Sequence, residues 1–473
     1  MLTFFELDES NLCALPLYLE KSTSHFCDLT LGNIYMWRKE LNTYFAIRND
    51  TLIVRKELQK GMFSYLYPLG TDIEGALQAI EEYTFLHRER LSFYALSEEQ
   101  TRVLSDRYPH HQSLSLRNWS DYLYRLSDLR DFPGKRYEGK RHNANRFHRD
   151  NPDVVLKEAT SEDLPRLNAF LDRYLQENKD GDISEEEVAL TREMLAHPSC
   201  IKGLLAYYEK NGEIIAFSLG EKKGDCLYNH IEKALRDYEG IYQAITSDFL
   251  KKYGDALLFS NREEDDGKEG LRKAKLQLKP VELLQKFYFD VTNPIDLVKT
   301  FPPLESERLE AHLVQKEEMP AYALLAKDEA NNRFWGYDYK QDLPGQKEAT
   351  ADYFWESLQE DLQKKKFISF SLTSKDDHRF LGEMVLYHFT NLSGAEIGIR
   401  LSKGEQKKGY AFEALEMFLS YAKNVLGLSY LEFESYRANL PSLRLAEKAG
   451  FQKLYEDEER CHDVYPFRGK GWE

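Results

Sequence analysis

A glycine turn set between an apolar strand and an amphipathic helix constrains this chain more than any other feature. Glu396-Ile397-Gly398-Ile399-Arg400-Leu401 reads as a strand, Gln406-Lys407-Lys408-Gly409-Tyr410-Ala411 as the turn, and Phe412 to Val425 as the helix. The free backbone N–H groups that open such a helix converge on one spot. With the helix dipole they make a site for a phosphate or pyrophosphate. Gly409 lets the backbone approach the ligand, because a Cβ there would intrude. A second strand, Ser429 to Ser435, follows, then Asn439-Leu440-Pro441-Ser442 and Glu447-Lys448-Ala449-Gly450-Phe451.

Length sets the number of cores. At 473 residues the chain exceeds one ordinary core, and two or three domains are expected. A hydrophobic content of 42% and an aromatic content of 13% belong to a folded protein. The net charge of −16 argues against wholesale wrapping around nucleic acid or anionic lipid and leaves room only for a local basic patch. Cys13, Cys27, Cys200, Cys226 and Cys461 show no CxxC spacing, as expected of reduced, mostly buried thiols in a cytoplasmic protein. The twelve histidines form no metal-like pattern, so no metal is expected. The N-terminus lacks a basic region followed by an apolar run, and no stretch is long and apolar enough to span a bilayer. A soluble, cytoplasmic protein is the expectation.

Three blocks emerge, at 1–131, 132–292 and 300–473. Phe132-Pro133-Gly134 breaks the chain first, and Asn293-Pro294 and Phe301-Pro302-Pro303 break it again. The second and third blocks are distant copies of one α/β design with mixed sheets. Gly212-Glu213-Ile214-Ile215 matches Gly382-Glu383-Met384-Val385, and Asp237-Tyr238-Glu239-Gly240-Ile241 opens a helix as the Gln406 turn does. The repeat is far longer than a solenoid unit, so it reads as domain duplication. Asp237 stands where the third block has Gln406, and the second copy is not expected to bind the third block's ligand in the same way.

The turn and the pieces after it resemble the GNAT acyltransferase family, in its ribosomal-protein N-terminal acetyltransferase type, over roughly 300–460. The resemblance implies an acetyl-CoA cofactor and an amine acceptor, either a peptide, a protein or a small molecule. It implies that Gln406, Lys407, Lys408, Gly409, Tyr410 and Ala411 hold the pyrophosphate. Ile399 and Leu401 would pair with the pantetheine arm, and Asn439 and Ser442 would bond the cofactor near the next strand. The amine must lose a proton and the thiolate must gain one. Glu383, Glu396 and Glu434 are the candidate bases. Many GNAT enzymes place a Tyr seven residues after the Asn, where this chain has Ala446. Tyr430, Tyr436, Tyr410 or water would then supply the proton. The aromatic group from Phe334 to Tyr339 is a candidate wall for the acceptor pocket.

In the middle block, Lys135 to Arg149 carries six Lys/Arg against one Glu. Helical spacing puts Arg141, Asn145 and Arg149 on one stripe suited to phosphates. With His230-Ile231-Glu232-Lys233-Ala234 and the run from Asn261 to Lys275, it resembles the soluble C-terminal domain of phosphatidylglycerol lysyltransferases, over about 1–290. That resemblance implies a tandem pair of GNAT-like units and aminoacyl transfer from a charged tRNA. Arg141, Asn145 and Arg146 would face phosphates, and Glu232 and Lys233 would line a cleft. Asn261, Arg262, Asp265, Arg272, Lys273 and Lys275 would shape the aminoacyl or acceptor site. The lipid-modifying enzymes' membrane-spanning part is missing from this sequence. Three readings follow. The first is an acetyltransferase domain fused to a lysyltransferase-like module. The second is aminoacyl-tRNA-dependent transfer by that module. The third is a non-catalytic GNAT pair that binds a ligand and tunes the C-terminal enzyme.

Overall fold

Among the strand pairings of the described residues, each of three mixed sheets has a parallel pair, and a helix makes the crossover each time. The computed structural model describes residues 2–87, 89–177, 185–196, 203–343, 349–390 and 392–467. Cys200 lies outside the described residues. In the first sheet the parallel pair is Met62–Tyr65 with Ser92–Leu96, joined through the helix Ile73–Leu86. In the second it is Cys226–Ala234 with Phe259–Asn261, through the helix Ile241–Tyr253. In the third it is Gly394–Leu401 with Tyr430–Tyr436, through the helix Tyr410–Asn424. The remaining pairings recorded in the three sheets are antiparallel, and the fold is mixed α/β throughout.

Side-chain alternation explains which face each strand buries. In Phe367–Ser374, Ile368, Phe370 and Leu372 join the core beneath Leu415 and Phe418 of the crossover helix, while Ser369, Ser371 and Thr373 occupy the opposite face. Each such buried aliphatic or aromatic side chain contributes about 1.5–3 kcal/mol. The helices Met319–Lys327 and Ala351–Gln363 cover that opposite face with their own small core, including Tyr322 and Phe354.

By compactness the chain divides into two units. One comprises residues 1–84, 91–107 and 113–290; the other comprises 291–473 with the short segments 85–90 and 108–112. The first unit contains strands of two sheets that exchange elements. The strand Phe287–Val291 runs antiparallel to Ser92–Leu96 in the first sheet, although the two lie far apart in the sequence. The strand Asp121–Arg125 pairs with Phe259–Asn261 and with Glu282–Leu284 in the second sheet. A single core cluster runs across both, holding Leu52, Val54 and Tyr94 together with Phe217, Leu219 and Leu227. Among the described residues no helix is long and apolar enough to cross a membrane. The described cysteines are free; Cys27, Cys226 and Cys461 are buried and Cys13 is exposed.

The strand exchange makes Phe289, fully buried opposite Phe93, a test of the shared core. Phe289→Ala is expected to cost about 3–5 kcal/mol in urea denaturation. Probes in the first and second sheets should lose stability together.

Candidate functional site

The parallel pair of the third sheet comes apart. Its register runs only from Gly394 opposite Tyr430 to Glu396 opposite Glu432. Beyond that point Ile397 to Leu401 stay paired to the neighbouring strand Phe380–Thr390. Phe433 to Tyr436 stay paired to Arg460–Pro466. The two strands therefore diverge and leave one backbone edge of Ile397–Leu401 open toward the gap, where its N–H and C=O groups can serve a ligand. Ile399 and Leu401 lie on this edge.

The turn at the end of that strand leaves its helix start uncovered. Gly409 is the N-cap of Tyr410–Asn424 at φ +86°, and no side chain caps it. Lys407, at φ +63°, also takes the left-handed conformation. The first N–H groups of an α-helix have no intrahelical acceptor, so here they face outward as anion donors. Arg308, which the sequence reading missed, stands beside them. Its Nη2 lies 3.3 Å from where a Cβ on Gly409 would be. Its Nη1 donates to the Lys408 carbonyl at 3.1 Å, and its Nε to Glu413 at 2.7 Å. The guanidinium also rests 4.7 Å from the centre of the Tyr410 ring. Lys408 pairs with Glu405 at 3.0 Å. Gln406 donates to Asn331 at 2.6 Å and to the Leu401 carbonyl at 3.2 Å, which pins the turn to the strand end. Tyr410 and Ala411 pack on the core. Asn439 occupies the N-cap of Leu440–Ala449 without using its side chain as a cap. Ser442 shares a 2.8 Å hydrogen bond with Ser435.

The other two crossovers end in closed turns. At Ile73–Leu86 a carboxylate of the chain already holds the anion position: Asp72 accepts from the Gly75 N–H at 3.0 Å and from Asn49 at 2.7 Å. These bonds, Asn49's first, hold the Asp72 carboxyl below its usual range. At Ile241–Tyr253 the N-cap is Gly240 at φ +84°, nearly the backbone of Gly409. A Cβ on Gly240 would lie 2.1 Å from the Asn143 carbonyl oxygen. The basic helix Glu138–Asp150 thus packs its backbone against the glycine and blocks the turn. The sequence expectation for this copy rested on Asp237; the packed helix supplies the physical obstruction.

Glu383, Glu396 and Glu434 share the sheet face opposite the crossover helix, and each carboxylate is engaged. Glu383, 2% exposed, accepts from Tyr322 at 2.8 Å and from Arg400 at 2.7 Å. Glu396 accepts from Tyr387 and contacts His388 Nδ1 at 2.8 Å. Glu434 pairs with Arg460 and lies 3.2 Å from His462 Nδ1. Tyr436, two residues on and on the same face, accepts from Arg460 at 2.9 Å and stands 5.7 Å from Phe334. Trp335 lies under Arg400, 4.5 Å away, and 3.2 Å from a Cβ built on Gly398. Two members of the expected aromatic wall therefore reach the diverging strands. Tyr339 instead packs on Phe354. Tyr430 is buried and bonded to Thr390 at 2.5 Å. Alternation along Glu396, Gly398 and Arg400 is the signal that would have found Arg400.

The residues expected in the first unit fall into separate networks. Arg141 donates to the Phe132 and Gly134 carbonyls at 2.5 and 3.1 Å, and Arg146 pairs with Glu239 at 2.6 Å. Asn145 and Lys273 are exposed. Glu232 is bonded to Arg262 and to Thr246, each at 2.9 Å. Lys233 pairs with Glu187 and lies over Tyr174. Next to these, buried His230 sits between Glu263, at 2.7 Å, and Glu221, at 3.5 Å. Burial opposes its charge, yet the two carboxylates push its pKa up to about 10. Asn261 donates to the His25 carbonyl at 2.6 Å and to Asp121 at 3.0 Å. Asp265 accepts from Tyr122 at 2.5 Å and from Arg272 at 2.8 and 2.9 Å. Burial works against its charge, and the Arg272 and Tyr122 bonds still hold it well below the usual carboxylate range. The Lys275 ammonium gathers the carbonyls of Arg262, Glu263 and Glu264.

Comparison with known proteins agrees with this division. The family model described as phosphatidylglycerol lysyltransferase, C-terminal, matches residues 20–289. The acetyltransferase (GNAT) domain model matches residues 308–452. The chain is 33% identical over 113 residues to the Bacillus subtilis (strain 168) protein named Probable N-acetyltransferase YjcK. That match covers 24% of this chain and 60% of the relative, so the chain spans less than two thirds of the relative's length. It is 26% identical over 155 residues to the uncharacterised N-acetyltransferase YoaA of the same organism, covering 32% of this chain and 84% of that one. A crystal structure of a conserved protein of unknown function from Bacteroides thetaiotaomicron VPI-5482 superposes with a TM-score of 0.58 at 26% identity. It covers 61% of this chain and 99% of its own.

The packing at the second turn can be measured. Gly240→Ala is expected to destabilise the protein by more than 1 kcal/mol in urea titrations, because the Asn143 backbone must move and φ is left-handed. Gly139→Ala on the facing helix, with open space around it, should be neutral or stabilising by up to about 1 kcal/mol.

Proposed function

The chain belongs to the phosphatidylglycerol lysyltransferase C-terminal family and continues into a GNAT acetyltransferase domain; from that premise we propose that this acyltransferase moves the acetyl group of acetyl-CoA onto an amine. The observation that carries the reading is the open Gly409 turn beside a diverging parallel strand pair. The Gly409 cradle fits a pyrophosphate, since its nearest neighbour is the cation Arg308. Lys407 and Lys408 add charge of the right sign. The open edge of Ile399 and Leu401 and the uncapping amide of Asn439 would hold the pantetheine arm. When bound, acetyl-CoA supplies the activated thioester.

This chain's residues have two further tasks, taking a proton from the amine and delivering one to the departing sulfur. Glu434 and Tyr436 are assigned to them because both lie beyond the point where the strands part. Glu434 takes the amine proton, its charge balanced by Arg460, with His462 Nδ1 3.2 Å away. Tyr436 accepts a hydrogen bond from Arg460, which leaves its own O–H to donate. Glu383 is held by a buried guanidinium and a phenol, and its assignment is to the scaffold of the cleft; Glu396 serves beside it. Phe334 and Trp335 line the acceptor side. Whether the acceptor is a peptide, a protein or a small amine is set by that wall.

Aminoacyl transfer by the first unit draws less support. Arg141 and Arg146 are spent on backbone carbonyls and on Glu239, so the stripe offers an aminoacyl-tRNA few unengaged cations.

Titration calorimetry with acetyl-CoA tests the reading. Wild type is expected to bind, and Gly409→Trp is expected not to. Loss of binding by wild type itself would contradict the proposal. With a competent amine, Tyr436→Phe should lower kcat by roughly 10²-fold or more, with acetyl-CoA affinity unchanged. An unchanged kcat would remove Tyr436 as the proton donor.

A further inference from the structure

One asparagine fastens the wall on the acceptor side to the turn that faces the pyrophosphate. After the helix Met319–Lys327 the chain from Asp328 to Trp335 lies against the end of the strand Gly394–Leu401. Asn331 donates through Nδ2 to the Leu401 carbonyl at 2.8 Å. Its Oδ1 accepts from Gln406 Nε2 at 2.6 Å, and the same Nε2 reaches the Leu401 carbonyl at 3.2 Å. The bonds close a ring among three pieces of chain: the segment after the helix, the strand end and the Gly409 turn. Both lone pairs of the Leu401 carbonyl are then taken. Leu401 keeps its N–H for the open edge, and Ile399 keeps both groups.

Asn332 carries the connection onward. Its Nδ2 reaches the carbonyls of Leu325, Ala326 and Asp328 at 2.6, 3.1 and 2.9 Å, which answers acceptors that a helix end leaves open. Its Oδ1 accepts from Arg400 at 3.0 Å. Its own carbonyl accepts from the Trp335 N–H at 2.9 Å. The Trp335 indole then lies over Arg400 and against Gly398, where a glycine has no side chain to hold the ring off. From Gln406 to Trp335 every link is a hydrogen bond or a peptide bond. The aromatic wall has no freedom to shift against the cofactor turn unless the Asn331 ring opens.

We infer, on the acetyl-transfer reading, that Asn331 is a positioning residue: it sets the Trp335 wall in one frame with the cofactor turn, so that a ligand held by the turn and the strand edge also steadies the wall. Asn331 needs no contact with cofactor or acceptor for this. Its amide acts through Gln406 on one side and through the Asn332 anchor on the other. An alanine in its place leaves Gln406 only the Leu401 carbonyl and unties the wall.

CoA is the probe, added to the full-length protein and followed by titration calorimetry and by tryptophan emission. The chain has five tryptophans, and Trp335→Phe identifies the share of Trp335. Wild type is expected to bind CoA and to change its emission; in Trp335→Phe most of that change should be gone. Asn331→Ala should bind CoA within a few-fold of wild type, which also shows that it folds, and should lose the emission change. Failure of the wild type to bind CoA would remove the acetyl-transfer reading and the inference with it. CoA binding without a Trp335-dependent signal, a signal that survives Asn331→Ala, or loss of CoA binding in that variant would overturn the inference alone.

Discussion

The start of one helix, with its backbone donors uncovered, is the constraint on which the rest depends. A crossover helix always presents unpaired N–H groups at its N-terminus, and this chain builds the crossover three times. Twice it answers those donors itself. Asp72 supplies a carboxylate at the first, and the Asn143 carbonyl closes over the glycine of the second. At the third, Gly409 keeps the same left-handed backbone as Gly240, but the nearest group is the guanidinium of Arg308. The local backbone is therefore the same in the second and third copies, and what differs is the sign and size of the neighbour. A carbonyl oxygen repels an anion and fills its volume; a cation at the rim attracts it.

The diverging strands work only with that turn. Parallel pairing stops at Glu396, and the strand runs on through Leu401 to the turn that Gln406 ties back to it. Cofactor arm and cofactor phosphate are thus positioned by one continuous stretch of chain, held on its far side by the strand Phe380–Thr390. The paired charges on the cleft face serve this rigidity. Burying Glu383 and Arg400 together costs desolvation, and removing one partner would leave the other uncompensated, at about 3–5 kcal/mol. The first unit spends its charges in the same way, in Glu232 with Arg262 and Asp265 with Arg272.

The third sheet was legible in the sequence because its signals are local. Gly409 after an alternating strand, and Asn439 before a Pro-started helix, fall within a few residues of the elements they govern, and the structure sets the helix at Tyr410–Asn424, close to the range read from periodicity. Contacts between residues far apart in the chain were not legible. Nothing near Gly240 announces that a helix a hundred residues earlier covers it, and nothing near Phe289 announces a place beside Phe93. Arg308 was not legible as part of the turn, since its role comes from folding back onto Gly409 and Lys408. The basic stripe was read correctly as a helix, but its charge was counted without the carbonyls and carboxylates that absorb Arg141 and Arg146. Charge patterns in sequence give supply; only packing gives demand.

Hydrogen exchange of the full-length protein with and without acetyl-CoA tests the central claim most directly, because it reads all three helix starts at once. The account predicts slower exchange at the amides of Gly409 to Phe412 and along Ile397 to Leu401, with no change at Gly240 to Tyr242 or at Ile73 to Ala76. Protection at the Gly240 turn, or none at Gly409, would contradict it.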